Sequence, residues 1–96
     1  MTISEAHKVW TKIVKGSQVS QEEILEARKT YEETIEEWHK RDDINRETIG
    51  DQEMLKVFND DPKVKEAADK IISQYEKARE LAAIFIKIYE EELADL

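Results

Sequence analysis

The sequence predicts an all-α fold: a small antiparallel helical bundle of three to four helices with one long C-terminal helix. Three observations carry that expectation. From Pro62 to Leu96 the chain is an unbroken run of helix formers centred on the apolar stretch Leu81 to Tyr89. Elsewhere the apolar residues recur at three- and four-residue steps, the period of one helix face. Two glycines and one proline are the only strong breakers in 96 residues, and each stands where a helical pattern starts or stops. Only Val9 to Val14 has the look of a strand.

Thr2 and Glu5 have the spacing of a capping box, in which each residue satisfies a backbone N–H near the other. Ile3, Ala6, Trp10, Ile13 and Val14 then line one face until Gly16, which predicts a first helix over 3–15. Ser20 and Glu23 repeat the capping spacing, and Ile24, Ala27, Tyr31, Ile35 and Trp38 follow at helical steps, predicting a second helix over 21–41. Its charges suit it locally. Glu22 and Glu23 lie at the positive end of the helix dipole, and Lys40 and Arg41 at the negative end. Glu36 with Lys40 and Glu37 with Arg41 are favourable pairs; Glu22/Glu26, Glu32/Glu36 and Glu33/Glu37 oppose them by similar amounts.

Residues 42–50, DDINRETIG, sustain no apolar period and end in Gly50, so they predict a connection. Met54, Leu55 and Phe58, with Val57 beside them, predict a short third helix over 51–58, closed by Asn59, Asp60 and Asp61. Asp61 then caps the last helix, over 62–95, with Pro62 at its first position.

At 1.5 Å per residue the last helix is about 50 Å long, against about 20 Å and 30 Å for the first two. Neither of those covers it alone. The expected arrangement pairs the second and last helices as a long hairpin, with the first helix over the far end and the third over the near end. On the last helix, Val64, Ala67, Ala68, Ile71, Ile72, Tyr75 and Ala78 form a seam that Phe85, Ile86, Tyr89 and Leu93 continue. Leu81, Ile84 and Ile88 fall at a different azimuth and make an additional ridge. The ridge needs cover from the first helix, the third helix or another chain.

The length suits a single helical domain, 1–96, with one modest core. Charged residues at 40% and a mean hydropathy of -0.73 lean toward disorder, but the aromatic residues fall at helical spacing and favour a folded chain. With no cysteine, disulfides and thiolate metal sites are excluded, and the cytoplasm is the expected location. The first residues lack the basic-then-apolar order of a signal peptide. The longest apolar run is too short to span a membrane and contains Lys87.

The net charge of -8 is unevenly spread, with residues 1–18 at +2, 19–37 at -5 and 47–61 at -4. Such a field repels nucleic acid and anionic lipid, so neither is expected as a direct partner. Lys8, Lys12 and Lys15 share one helix face and read as a solvated surface.

Little in the chain supports catalysis. It has two histidines, no cysteine and no glycine-rich phosphate loop, and its carboxylates fall mostly in exposed arrays. Glu36 and His39 have the Glu-x-x-His spacing of di-iron bundles, yet one such pair supplies too few ligands, and it lies off the apolar stripe. No metal or cofactor is expected. His7 reads as an edge histidine, and Trp10, Trp38, Tyr31 and Tyr75 as core aromatics. What remains is a small acidic, non-enzymatic protein–protein interaction module, binding another protein or itself as a homodimer through Leu81, Ile84 and Ile88. The alternative is an acidic inhibitor or immunity-type protein whose Glu32, Glu33, Glu36 and Glu37 block the basic groove of a nucleic-acid enzyme by charge mimicry.

Overall fold

The computed structural model describes every residue from Met1 to Leu96. It is all-helical and contains three helices: α1 (Ile3–Val14), α2 (Gln21–Phe58) and α3 (Pro62–Ala94). The capping box of α1 forms as its spacing requires. The Glu5 amide donates to Thr2 Oγ1 at 3.2 Å, and the Thr2 amide donates to Glu5 Oε1 at 3.2 Å. The backbone hydrogen bond from Thr2, followed by that from its side chain, holds the Glu5 carboxyl below its ordinary pKa. Gly16 ends α1 with φ +78, a left-handed conformation that glycine adopts without a Cβ clash. It lets Gly16 N–H reach Ile13 O at 3.0 Å and Ser17 N–H reach Lys12 O at 2.9 Å. Two carbonyls otherwise left open at the helix end are thereby satisfied.

The second element departs from the sequence expectation. Residues 42–50 are helical, and the segments expected as separate helices over 21–41 and 51–58 belong to the single helix α2. No proline interrupts the stretch, and Gly50 keeps a negative φ, so it costs at most about 1 kcal/mol relative to alanine. Local bonds support the turns around it: Thr48 Oγ1 donates to Ile44 O at 3.0 Å, and Arg46 pairs with Asp43 at 3.0 Å. The half-buried positions here are Asp42, Asn45, Thr48, Ile49, Gln52 and Lys56, which recur at helical steps. The inward stripe exists, but apart from Ile49 it is polar, so it shows no apolar periodicity. Ile44, Met54, Leu55, Val57 and Phe58 are exposed instead. At 38 residues, α2 reaches about 57 Å, and no separate third helix exists to cap the near end.

The start of α3 follows the sequence. Asp61 Oδ1 accepts from the Lys63 amide at 2.9 Å, with Pro62 at the first helical position, where a missing N–H costs nothing.

Contacts group the chain into two compact units, one formed by Met1–Trp38 with Phe85–Leu96, the other by His39–Ile84. In the first, Ala6, Val9, Ala27 and Tyr31 are buried together, with Ile3, Ile13, Val19, Tyr89, Leu93 and Leu96 packed against them. Tyr31 contacts Glu92, and Trp38 stacks on Phe85 with ring centroids 5.1 Å apart. The partner's number falls as the α2 number rises, so the two segments run antiparallel within this unit. In the second unit Ala68, Ile72 and Ala82 are the buried apolar residues. Arg79 Nε donates to Asp42 Oδ1 at 3.0 Å and Lys56 pairs with Asp69, again an antiparallel order. This unit has a thin apolar core, since α3 supplies nearly all of it and α2 answers with polar side chains.

Candidate interaction surface

The Leu81, Ile84, Ile88 ridge can be located residue by residue. Leu81 is 53% exposed, Ile84 54% and Ile88 42%, with Phe85 next to them at 36%. Ile88 is the best covered because α1 reaches it. Ile3, Ser4 and His7 of α1 join Phe85, Ile88, Tyr89 and Glu92 of α3 around an open cavity of about 300 Å³. Leu81 and Ile84 lie in the other unit, where no separate third helix exists to cover them.

At the edge of that cavity is a polar network. Glu92 is 7% exposed although it carries a carboxylate. Its Oε2 accepts from the Tyr31 hydroxyl at 2.8 Å, and its Oε1 lies 2.8 Å from His7 Nδ1. A buried carboxylate is tolerated only when its oxygens are satisfied, and here both are. The network therefore joins α1, α2 and α3 through one side chain. Burial first, then the hydrogen bond and charge of Glu92, push the Tyr31 hydroxyl far above its ordinary pKa. A second tie runs from Trp10 Nε1 to Asp95 Oδ2 at 2.9 Å, and His7 stacks on Trp10 with centroids 5.2 Å apart. His7, an edge residue by sequence, is half exposed and engaged on both its ring face and its Nδ1.

Glu92 was not legible as a structural residue from composition or motif. Its one signal is position, three residues after Tyr89 on the inward side of α3, where the seam calls for an apolar group. A charge at such a site implies a buried partner.

Of the four aromatics expected in the core, Tyr31 is buried, while Trp10, Trp38 and Tyr75 are half-buried. The acidic set Glu32, Glu33, Glu36 and Glu37 lies exposed along α2. Glu33 is 3.9 Å from Lys29, and Glu36 and Glu37 have partners within the chain. Glu36 and His39 are both exposed, and no three His, Asp or Glu side chains converge as a metal site would require. No helix is long and apolar enough to cross a membrane. Comparison with protein-family models, curated proteins and solved structures finds no match to this chain.

Proposed function

We propose that this chain is a small non-enzymatic protein-interaction module that binds a second copy of itself through the outer face of α3. The observation that carries the reading is the exposure of Leu81 and Ile84, each more than half open to water, beside the partly exposed Phe85 and Ile88. Four large apolar side chains on one short stretch of helix are an unusual surface for a small monomer.

A second copy is consistent with the chemistry of the face, where apolar centres are flanked by charges of both signs. The absence of cysteine suits a reducing compartment, and the cytoplasm is the location that goes with this reading.

Charge mimicry through Glu32, Glu33, Glu36 and Glu37 has less support. A basic groove would have to displace Lys29 from Glu33 and the partners of Glu36 and Glu37. The two readings separate by experiment. Light scattering should give a dimer for the parent chain and a monomer of unchanged helicity for Ile84→Glu. A parent chain that remains monomeric at high micromolar concentration would overturn the proposal.

A further inference from the structure

The charges around the ridge prescribe how two copies meet. We propose that the α3 helices of two chains pair antiparallel about a two-fold axis at Ile84, with Lys77 of each copy against Glu91 of the other, and Glu80 against Lys87. This rests on the self-association reading above and adds to it an orientation and a register.

The argument starts from the helix itself. With Leu81 set at zero and a step of about 100° per residue, Ile84 lies at about 300° and Ile88 at about 340°. On the same scale Lys77 falls at about 320° and Glu91 at about 280°. Glu80 falls at about 260° and Lys87 at about 240°. All six are therefore on one side of α3. Lys77, Glu80, Lys87 and Glu91 are exposed, and none takes part in the ion pairs that the chain forms internally. The opposite flank of the ridge is the one that α1 approaches, through Ile3 and His7 beside Phe85 and Ile88. Glu80, Lys87 and Glu91 lie on the other flank and Lys77 between Ile84 and Ile88, and all four are exposed.

Their order along the helix decides between orientations. Lys77 lies about 10 Å before Ile84 along the axis, and Glu91 about 10 Å after it. Glu80 lies about 6 Å before and Lys87 about 4.5 Å after. A two-fold axis through Ile84, running across the helix, therefore brings each lysine to a glutamate of the second copy within the reach of a lysine side chain. Leu81 meets Ile88 under the same operation, so apolar contacts close on apolar contacts. A parallel pairing places Lys77 against Lys77 and Glu91 against Glu91, and repels at all four positions. An isologous contact of this kind is closed and stops at two copies.

Because the chain contains no cysteine, single introduced thiols report the geometry directly. A disulfide needs Cα atoms about 4.4 to 6.8 Å apart. On the two-fold axis, Ile84→Cys should give a covalent dimer on oxidation, whereas Lys77→Cys should not, its mate being about 20 Å away. Charge reversal provides the second readout. Lys77→Glu alone and Glu91→Lys alone should each weaken the dimer at least tenfold by analytical ultracentrifugation, and the double variant should return to within threefold of the parent. Cross-linking at both positions would establish a parallel pair and overturn the proposal, as would a dimer indifferent to the single reversals or a double variant that is not rescued. A parent chain that is monomeric defeats the underlying reading as well. A parent dimer untouched by Ile84→Glu locates the contact on another surface.

Discussion

The Tyr31 hydroxyl donates a 2.8 Å hydrogen bond to Glu92 Oε2, and both residues are buried. They lie on different helices, 61 positions apart in sequence, so the bond fixes the register of α2 against α3 at the end of the chain where α1 also docks. His7 completes the arrangement from α1 through the other oxygen of the same carboxylate. Three helices thus meet at one carboxylate, and Tyr31 belongs to the buried apolar cluster with Ala6, Val9 and Ala27.

Removing the hydroxyl alone tests that dependence. Tyr31→Phe preserves the ring and its packing but leaves a buried carboxylate oxygen without its donor, at a cost of about 1 to 3 kcal/mol. Urea unfolding should show a lower midpoint with an unchanged slope. An equally stable variant would mean that water replaces the hydroxyl and that the bond contributes little.

The same bond predicts a dependence on alkaline pH. In the unfolded chain Tyr31 has its ordinary value of 10.0, and in the folded chain burial and the neighbouring Glu92 raise it. Below pH 10 both states hold the proton and stability is unaffected. Above it the unfolded chain releases the proton while the folded chain retains it, so stability falls with a limiting slope of about 1.4 kcal/mol per pH unit for this one group. Denaturation curves at pH 9 and 11 should therefore converge for the parent and Tyr31→Phe as pH rises. Parallel loss in the two proteins would assign the alkaline sensitivity to other groups.

Gly50 supplies a test of the continuous helix. It has no positive φ, and a Cβ placed there meets nothing within 4 Å, so Gly50→Ala should stabilise the chain by about 0.5 to 1 kcal/mol. Gly16 also has open space around it, but its φ of +78 makes alanine strained there, and Gly16→Ala should destabilise. Thermal melts of the two variants should shift in opposite directions. Destabilisation by Gly50→Ala would show that residues 42–50 bend in solution, and weak amide protection over those residues would agree with it.

These cases show what was legible in the sequence. Helix ends are specified by local chemistry, and Thr2, Ser20, Gly16, Asp61 and Pro62 all act where their side chains or backbone preferences require. Part of the α3 seam was legible too: of its predicted positions Ala68 and Ile72 are buried, while Ala67 and Phe85 are exposed. The joining of 21–41 to 51–58 was not, since Asp42, Asn45 and Gln52 occupy inward positions that are usually apolar. Glu92 escaped for the same reason. Its environment is apolar and its chemistry is not, and only the three-dimensional partners Tyr31 and His7 explain the choice.

The polar stripe leads to the last prediction. Asn45 and Gln52 are half-buried on α2, in a unit whose apolar core comes almost entirely from α3. Full burial of a leucine is worth about 1.5 to 3 kcal/mol, and half of that is a fair expectation at a half-buried site. Gln52→Leu should stabilise by about 1 kcal/mol, and Asn45→Leu by a similar amount with a further gain from helix propensity. Asp42 gives the contrasting case because it accepts from Arg79 Nε at 3.0 Å. Asp42→Leu should gain less or destabilise, since it leaves a partly buried guanidinium without its carboxylate. Chemical denaturation of the three variants should rank Gln52→Leu and Asn45→Leu above the parent and Asp42→Leu below both. If all three destabilise, the stripe is matched to polar groups on α3, and polarity rather than a missing apolar core holds the helices together there.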